Sequence, residues 1–291
     1  MGNINNTDSR PVGIFDSGLG GLCAVRGALE ILPNEDIVYF GDSGRVPYGS
    51  RSDDIIKKYA RQDINFLISK NVKMILISCG TVSSVAIDNL HETFPYIPII
   101  GVVESACEKA VEISKDKQNK KIGIIATEAT ILRGAYKKYI AELDKTCEVY
   151  GKPCPLFVPL VEYGYIDDNN MITKLAAEEY LSEVVDLNLS SLILGCTHYP
   201  LIKNIIDGVV NKNNKNKDNK TELIDAGYEA AFKLKKELHK RNLLNNINDI
   251  NHKGKLDINI SDEGINFSKV ASNFLGFDIK SGVTKIDIEK Y

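Results

Sequence analysis

The sequence contains no tryptophan, only four histidines and no excess of charge of either sign. Its 36 Lys and Arg residues are nearly balanced by 39 Asp and Glu residues, so its charge gives no reason to expect nucleic acid or an anionic membrane as a partner. No apolar run approaches the ~18 residues that indicate a transmembrane helix. Residues 1–10 are polar and lack the apolar core of a signal peptide. We therefore expect a cytoplasmic protein that binds neither nucleic acid nor membranes.

Cysteine is also scarce, since the six in the chain are too few and too scattered for a disulfide framework in 291 residues. Hydrophobic residues make up 43% of the chain and charged residues 26%, which is ordinary for a globular protein and excludes a collagen-like, disordered or coiled-coil chain. The length corresponds to one large domain or two ordinary ones. Each cysteine is therefore either a small core residue or part of the chemistry.

Short apolar runs alternate with amphipathic segments along the chain. The predicted strands are rich in Val and Ile, as expected for strands covered on both faces; they are 12–15, 37–40, 73–78, 99–103, 122–126, 191–195 and 223–225. The predicted helices are 22–32, 53–69, 83–92, 104–114 and 172–186, with a final packing helix at 267–275. The Lys- and Asn-rich run 211–220 is predicted to be a solvated loop. The alternation predicts βαβ units, and hence an α/β fold with mostly parallel sheets.

Two stretches in the two halves of the chain repeat one pattern. In 73–81 (KMILISCGT) an apolar strand is followed by a small residue, a cysteine and then a threonine, and 191–198 (SLILGCTH) has the same order. Cys79 and Cys196 each follow the carboxyl end of a strand, which is the edge where ligands bind in open α/β sheets. The repeat predicts two similar α/β lobes, each presenting one thiol to a cleft between them.

The position of the two cysteines favours chemistry over core packing, although for either residue alone a buried hydrophobe remains an alternative. Amides at a helix N-terminus favour a thiolate and lower its pKa from near ~8.5. The hydroxyls of Thr81 and Thr197, which follow the thiols, can cap a helix or donate to a substrate carboxylate. His198 does not have the spacing of a zinc site; it is either a proton shuttle beside Cys196 or a structural histidine.

Further polar candidates lie in two loops and one apolar run. Residues 15–21 (FDSGLGG) place Asp16 and Ser17 before glycines that allow backbone amides to approach an anion, although the spacing matches neither a dinucleotide-binding loop nor a Walker loop. Residues 41–49 (GDSGRVPYG) predict a turn that either presents Tyr48 and the amides around Gly49 to the cleft or is a plain surface turn. Glu162 is by itself more typical of a helix start than of a catalyst.

Two thiols in matching positions suggest acid–base chemistry. One thiolate can remove the proton alpha to a carboxylate while the other thiol donates a proton to the opposite face. The stereocentre is then inverted without a cofactor, and the thiols exchange roles in the reverse reaction. A pyridoxal phosphate enzyme is not indicated, because no lysine stands at either thiol loop.

Four motifs resemble the glutamate racemase family: VGIFDSGLGGL at 12–22, YFGDS with RVPYG at 39–49, FVPLVE at 157–162 and LGCTHYPL at 194–201. The resemblance covers nearly the whole chain and implies an isomerase that interconverts L- and D-glutamate for bacterial peptidoglycan. It implies a homodimer that uses no cofactor and no metal. It also implies two α/β lobes with the active site between them, the first comprising residues 1–102 and 208–291 and the second residues 103–207.

Matched position by position, the resemblance makes Cys79 and Cys196 the two catalytic thiols. Assistance in proton transfer is implied for Asp16, Glu162 and His198. The implied substrate-binding residues are Asp16, Ser17, Tyr48, Gly49, Gly80, Thr81, Thr197 and His198. The chain departs from the family at Gly80, where the family has Asn. Loss of a hydrogen bond to a charged substrate costs ~1.5–3 kcal/mol, so this departure bears on rate and on substrate choice.

Two alternatives remain open on the sequence alone. A racemase of another amino acid, such as aspartate, would use the same two thiols, although His198 favours glutamate. A racemase-like binding or regulatory protein that has lost activity would still hold an amino acid without exchanging its alpha proton, and Gly80 is the feature in its favour.

Overall fold

The computed structural model describes residues 8–212, 220–245, 252–264, 267–279 and 282–291. Most of the predicted loop 211–220 lies outside the described residues. Within these ranges, no helix is both long and apolar enough to cross a membrane. The chain forms two compact units, one of Met1–Val102 with Ala230–Tyr291 and one of Val103–Glu229.

The first part of the chain alternates strands and helices. Its elements are β1 (Val12–Asp16), α1 (Leu22–Ile31), β2 (Ile37–Gly41), α2 (Asp53–Ser69), β3 (Met74–Ile77), α3 (Gly80–Val85), α4 (Ile87–Thr93) and β4 (Ile99–Gly101). Every residue of these four strands is buried. Their apolar sequences are therefore those of strands covered on both faces.

The middle of the chain continues this alternation. Its elements are α5 (Val102–Asp116), β5 (Lys121–Ala126), α6 (Glu128–Arg133), α7 (Ala135–Leu143), β6 (Glu148–Pro153), α8 (Phe157–Glu162), α9 (Met171–Val185), β7 (Ser191–Leu194), a 3-10 helix (Tyr199–Ile202), α10 (Lys203–Val210) and β8 (Glu222–Asp225). The last part adds α11 (Ala226–Lys240), β9 (Leu256–Ile260), α12 (Phe267–Leu275), β10 (Thr284–Lys285) and a 3-10 helix (Ile288–Lys290).

The first unit contains a six-stranded sheet in the order β10-β9-β2-β1-β3-β4, with every neighbouring pair parallel. In its register, Asp16 lies beside Gly41 and Phe15 lies beside Ile77. Strands β1, β2 and β3 therefore end at nearly the same position along the strand direction. The residues that follow these strands meet at one edge of the sheet, which brings Asp16, Asp42 and Cys79 into one region.

The second unit contains a four-stranded sheet in the order β6-β5-β7-β8, also parallel throughout. Leu194 pairs with Ile125 on one side and with Asp225 on the other, so Cys196 follows the carboxyl edge of this sheet. The predicted α/β class with mostly parallel sheets is confirmed.

Several element predictions are confirmed and others are wrong. The helices predicted at 53–69 and 267–275 are confirmed as α2 and α12. The single helix predicted at 83–92 is wrong, because the backbone of Ala86 (φ −110°, ψ −13°) divides α3 from α4. Strands β6, β9 and β10 were not predicted. The sequence of β6, EVYGKP, is polar because this strand forms an edge of its sheet.

The chain returns to the first unit later than predicted. The expected boundary was residue 208, whereas the structure keeps the chain in the second unit up to Glu229. The reason is β8, which pairs with β7 and completes the second sheet.

Candidate active site

The loop after β1 folds around the carboxylate of Asp16. This side chain is buried, and its Oδ2 accepts hydrogen bonds from the N–H groups of Gly18 at 3.2 Å and Gly21 at 3.1 Å. The glycine amides that the sequence suggested for a ligand anion are thus occupied by the protein's own carboxylate. The loop is also held from β2, since Tyr39 Oη donates to the carbonyl oxygen of Gly18 at 2.6 Å.

Cys79 is the N-cap residue of α3 and is 5% exposed. Its Sγ donates a hydrogen bond to Ser17 Oγ at 3.3 Å. Burial raises the pKa of the Cys79 thiol to about 12, and the charge of Asp16 adds to the rise, while hydrogen bonds with Ser17 and with the backbone of Val82 act in the opposite direction. Gly80 and Thr81, the first residues of α3, are both buried.

The prediction that a helix N-terminus lowers the pKa of this thiol is therefore wrong for Cys79. Helix α3 has only six residues, and burial next to a carboxylate outweighs the effect of its amides. In the protein alone, Cys79 is a neutral thiol. A neutral thiol holds a proton, so Cys79 can act as a general acid.

Tyr48 lies in the turn after β2 and points into the protein. Its side chain is 1% exposed, and its hydroxyl donates to Asp42 Oδ2 and lies 3.1 Å from Asp63 Oδ2. The hydroxyl is thus engaged within the first unit. What this turn can offer a ligand is its backbone at Tyr48 and at the half-buried Gly49.

Cys196 lies in the second unit beside a histidine and a carboxylate. Its Sγ is 3.8 Å from Nδ1 of His198, and Nε2 of His198 is 3.1 Å from Oε1 of Glu162. Thr197 Oγ1 lies 3.4 Å from the same Nδ1. The three sequence-predicted residues Cys196, His198 and Glu162 thus form a chain of contacts.

Two local predictions around Cys196 are wrong. A turn and the 3-10 helix Tyr199–Ile202 follow this thiol, so no α-helix starts directly after it. Glu162 is the last residue of α8, not the first residue of a helix. Its carboxylate is more than half exposed, whereas the side chain of His198 is only 12% exposed.

His198 carries a proton at neutral pH. Burial disfavours its charged form, but hydrogen bonds with Cys196 and Glu162, together with their charges, outweigh burial and raise the pKa of His198 to about 10. The imidazolium donates to Glu162 from Nε2 and directs Nδ1 toward the sulfur of Cys196. Cys196 thus lies beside a cation, whereas Cys79 lies beside the carboxylate of Asp16.

Cys154 and Tyr199 border Cys196 and were not singled out from the sequence. Tyr199 Oη donates to the carbonyl oxygen of Cys154 at 2.8 Å. Burial raises the pKa of Cys154 to about 12; Lys152 opposes this rise and Cys196 adds to it. Cys154 follows the carboxyl end of β6, so the strand-end rule that identified Cys79 and Cys196 would have identified it too. The rule was not applied because β6 was not predicted.

Across the described ranges, no three His, Cys, Asp or Glu side chains are grouped in a way that could hold a metal ion.

A model of the Asp/Glu/hydantoin racemase family matches residues 29–231. The glutamate racemase of Thermoanaerobacter pseudethanolicus is 39% identical over 284 residues, which cover 98% of this chain and 100% of the relative. The glutamate racemase of Chlorobaculum tepidum is 44% identical over 235 residues, which cover 81% of this chain and 82% of the relative. This chain belongs to the glutamate racemase family. The resemblance drawn from its motifs is confirmed, and with it the class of isomerase.

A solved structure extends the likeness to the fold. The crystal structure of glutamate racemase from Francisella tularensis in complex with D-glutamate matches with a TM-score of 0.84 at 37% identity. The match covers 98% of this chain and 100% of that chain. The family and the fold are thus established over nearly the full length of the sequence.

Proposed function

We propose that this chain interconverts L- and D-glutamate by proton transfer through Cys79 and Cys196, without a cofactor. The observation that carries the proposal is the matched pair of thiols, each placed after a strand at the carboxyl edge of a parallel sheet. The substrate is taken from the relatives, which are named glutamate racemases, and from the related structure that holds D-glutamate.

In one direction the reaction begins at Cys196. In its thiolate form Cys196, which lies beside the protonated His198, removes the proton from the alpha carbon of glutamate. Cys79 then donates its own proton to the opposite face of the carbanion. The configuration is inverted, Cys196 ends as the thiol and Cys79 as the thiolate. No electrons are gained or lost, and the number of protons is conserved.

The reverse direction requires Cys79 to lose its proton. The family resemblance assigns Asp16 to assist this step, although in the protein alone its charge raises the pKa of the Cys79 thiol. The ammonium group of a bound amino acid adds a positive charge, which lowers the pKa of a neighbouring thiol. Glu162 assists at Cys196 through His198. We assign substrate binding to the eight residues that the family resemblance implied: Asp16, Ser17, Tyr48, Gly49, Gly80, Thr81, Thr197 and His198.

The proposal is tested by incubating the purified protein with L-glutamate, D-glutamate and L-aspartate in parallel and separating the enantiomers by chiral chromatography. We expect conversion of both glutamate enantiomers. Cys79→Ser and Cys196→Ser should each lose at least ~100-fold in rate, because a positioned acid or base contributes ~10²–10⁴-fold. Cys147→Ser is the control, since this half-buried thiol contacts Ser114 away from the site.

Each other outcome has a defined meaning. Full activity in either serine variant would refute the two-thiol mechanism. Conversion of aspartate in place of glutamate would favour the aspartate alternative. Binding of glutamate without conversion, by a folded protein with reduced thiols, would favour a binding or regulatory protein.

Three finer parts complete the proposal. The supply of D-glutamate for peptidoglycan and the homodimer are taken from the family resemblance, and the cytoplasmic location is the expectation drawn from the sequence.

A further inference from the structure

A cluster of buried charged side chains lies under the turn that carries Tyr48 and Gly49. Asp42, the residue after β2, and Asp63, on α2, have fully buried side chains. Arg45 bridges them, with Nε 2.6 Å from Asp42 Oδ2 and Nη2 3.2 Å from Asp63 Oδ1. The hydroxyl of Tyr48 contacts both carboxyl groups, at Asp42 Oδ2 and at Asp63 Oδ2.

The number of hydrogens available to the Tyr48 hydroxyl bears on the protonation of the two carboxyl groups. A phenol hydroxyl has one proton to donate, yet the oxygen of Tyr48 lies within hydrogen-bond distance of two carboxyl oxygens. If both carboxyl groups were ionised, one of these contacts would join two acceptors with no proton between them. A proton on one of the two carboxyl groups supplies the hydrogen that this second contact needs.

The ion pairs indicate which carboxyl group is protonated. Oδ2 of Asp42, the atom that accepts from Tyr48, also accepts from Nε of Arg45 at the short distance of 2.6 Å. That oxygen already accepts two hydrogen bonds, so the proton needed between Tyr48 and Asp63 does not lie on it. Oδ2 of Asp63 faces the Tyr48 oxygen at 3.1 Å, while its Oδ1 receives the longer bond from Arg45. The proton belongs on Oδ2 of Asp63.

The surrounding charges agree with this assignment. Burial raises the pKa of Asp63 well above its usual range; the charge of Asp42 adds to the rise, the Arg45 charge and the Tyr48 hydrogen bond oppose it, and Asp16 adds a smaller contribution. Arg45 also forms a third ion pair, because its Nη1 lies 3.2 Å from Oε1 of the exposed Glu289. One guanidinium therefore faces two buried carboxyl groups.

We propose that Asp63 is held as a neutral carboxylic acid that donates a hydrogen bond to Tyr48, and that Asp42, Arg45, Tyr48 and Asp63 together position the turn whose backbone binds the substrate. The first part of this proposal depends only on the geometry of the first unit. The second part rests on the proposed function, because it requires Tyr48 and Gly49 to contact glutamate. Asp63 is thus a positioning residue that acts through Tyr48.

Two isosteric variants separate a neutral Asp63 from a charged one. Asp63→Asn keeps a donor toward Tyr48 and an acceptor toward Arg45, so we expect KM for glutamate to stay within about twofold of the unmodified protein. Asp42→Asn removes the ionised partner of Arg45, and we expect KM to rise at least about tenfold while kcat changes less. Equal increases of KM in both variants would contradict the assignment of Asp63 as a neutral carboxylic acid.

A second readout does not need racemase activity. Infrared spectra of the protein at neutral pH should contain a carboxylic acid C=O band that shifts in heavy water and disappears in Asp63→Asn. Absence of a difference between the two spectra would overturn the protonated Asp63, whether or not the protein racemises glutamate. The expected spectral difference, seen while the unmodified protein does not racemise glutamate, would refute the proposed function but would still support a protonated Asp63. Circular dichroism confirms that each variant is folded.

Discussion

At the scale of single residues, the two thiols differ because the charges around them have opposite signs. Cys79 is buried beside the carboxylate of Asp16, which favours the neutral thiol, while Cys196 lies 3.8 Å from Nδ1 of the protonated His198. The two thiols therefore have different electrostatic surroundings. The proposed two-base inversion uses this difference, with Cys79 as the first acid and Cys196 as the first base.

The strand-end pattern in the sequence predicted Asp16, Cys79, Cys196 and His198, and the structure places all four at carboxyl edges of its sheets. The protonation states were not predictable in the same way. They depend on burial and on partners that are distant in sequence, such as Glu162 for His198. The inward orientation of Tyr48 has the same cause, since Asp63 lies on a different element.

His198 makes the stability of the protein dependent on pH. Its pKa in the folded protein, about 10, lies above the ordinary value of 6.5. Between these values the folded state binds more protons than the unfolded chain, so the free energy of unfolding falls as pH rises. The stabilisation is complete below pH 6.5 and lost above about pH 10.

We therefore expect His198→Asn to destabilise the protein more at about pH 6 than at about pH 10, as measured by urea unfolding. The rise in the pKa of Cys79 also lowers stability at high pH, but it is present in both proteins and cancels in the difference. His239→Asn, which changes an exposed histidine of α11, should unfold in parallel with the unmodified protein. A difference for His198→Asn that does not vary with pH would contradict the assignment.

At the scale of elements, the site is built where the ends of strands approach one another closely. A Cβ atom on Gly41, the last residue of β2, would lie 2.4 Å from the carbonyl oxygen of Gly18. A Cβ on Gly21 would lie 2.3 Å from Ser78 Oγ and 2.5 Å from Asp16 Cβ. Ser78 cannot move away freely, because it is buried and its hydroxyl donates to Phe15 O at 2.7 Å.

Gly21→Ala is therefore expected to destabilise the protein by ~1–3 kcal/mol, the usual cost of overpacking a dense site, and to displace Asp16. Thermal unfolding and racemisation rate together measure this. Gly208→Ala is the matched control, because no atom lies within 4 Å of the added Cβ in α10, and alanine gains up to ~1 kcal/mol in a helix. Equal stability of the two variants would show that the loop has room beside Gly21.

Whether a strand could be predicted from the sequence depended on how deeply it is buried. Strands buried on both faces have continuous apolar sequences and were predicted, whereas the edge strands β6 and β10 and the partly exposed β9 were not. The break at Ala86 between α3 and α4 was also missed, because alanine favours helix and no glycine or proline marks the position.

At the scale of the whole chain, the α/β class, the parallel sheets and the family were all predictable from the sequence. The return of the chain to the first unit was placed too early. Strand β8 has only four residues. The sequence of such a short segment does not determine which sheet the strand joins. That choice is made by its pairing with β7, a strand that ends at Leu194.

The central claim is that two different thiols serve the two faces of the alpha carbon. Conversion of L-glutamate in heavy water, followed by chiral separation and proton NMR of each enantiomer, tests it most directly. At early times we expect the D-glutamate formed to carry deuterium at the alpha carbon, because its new proton comes from the second thiol, which has exchanged with solvent. The remaining L-glutamate should retain its alpha proton. D-glutamate that keeps the original alpha proton would mean that one base serves both faces, and would contradict the account.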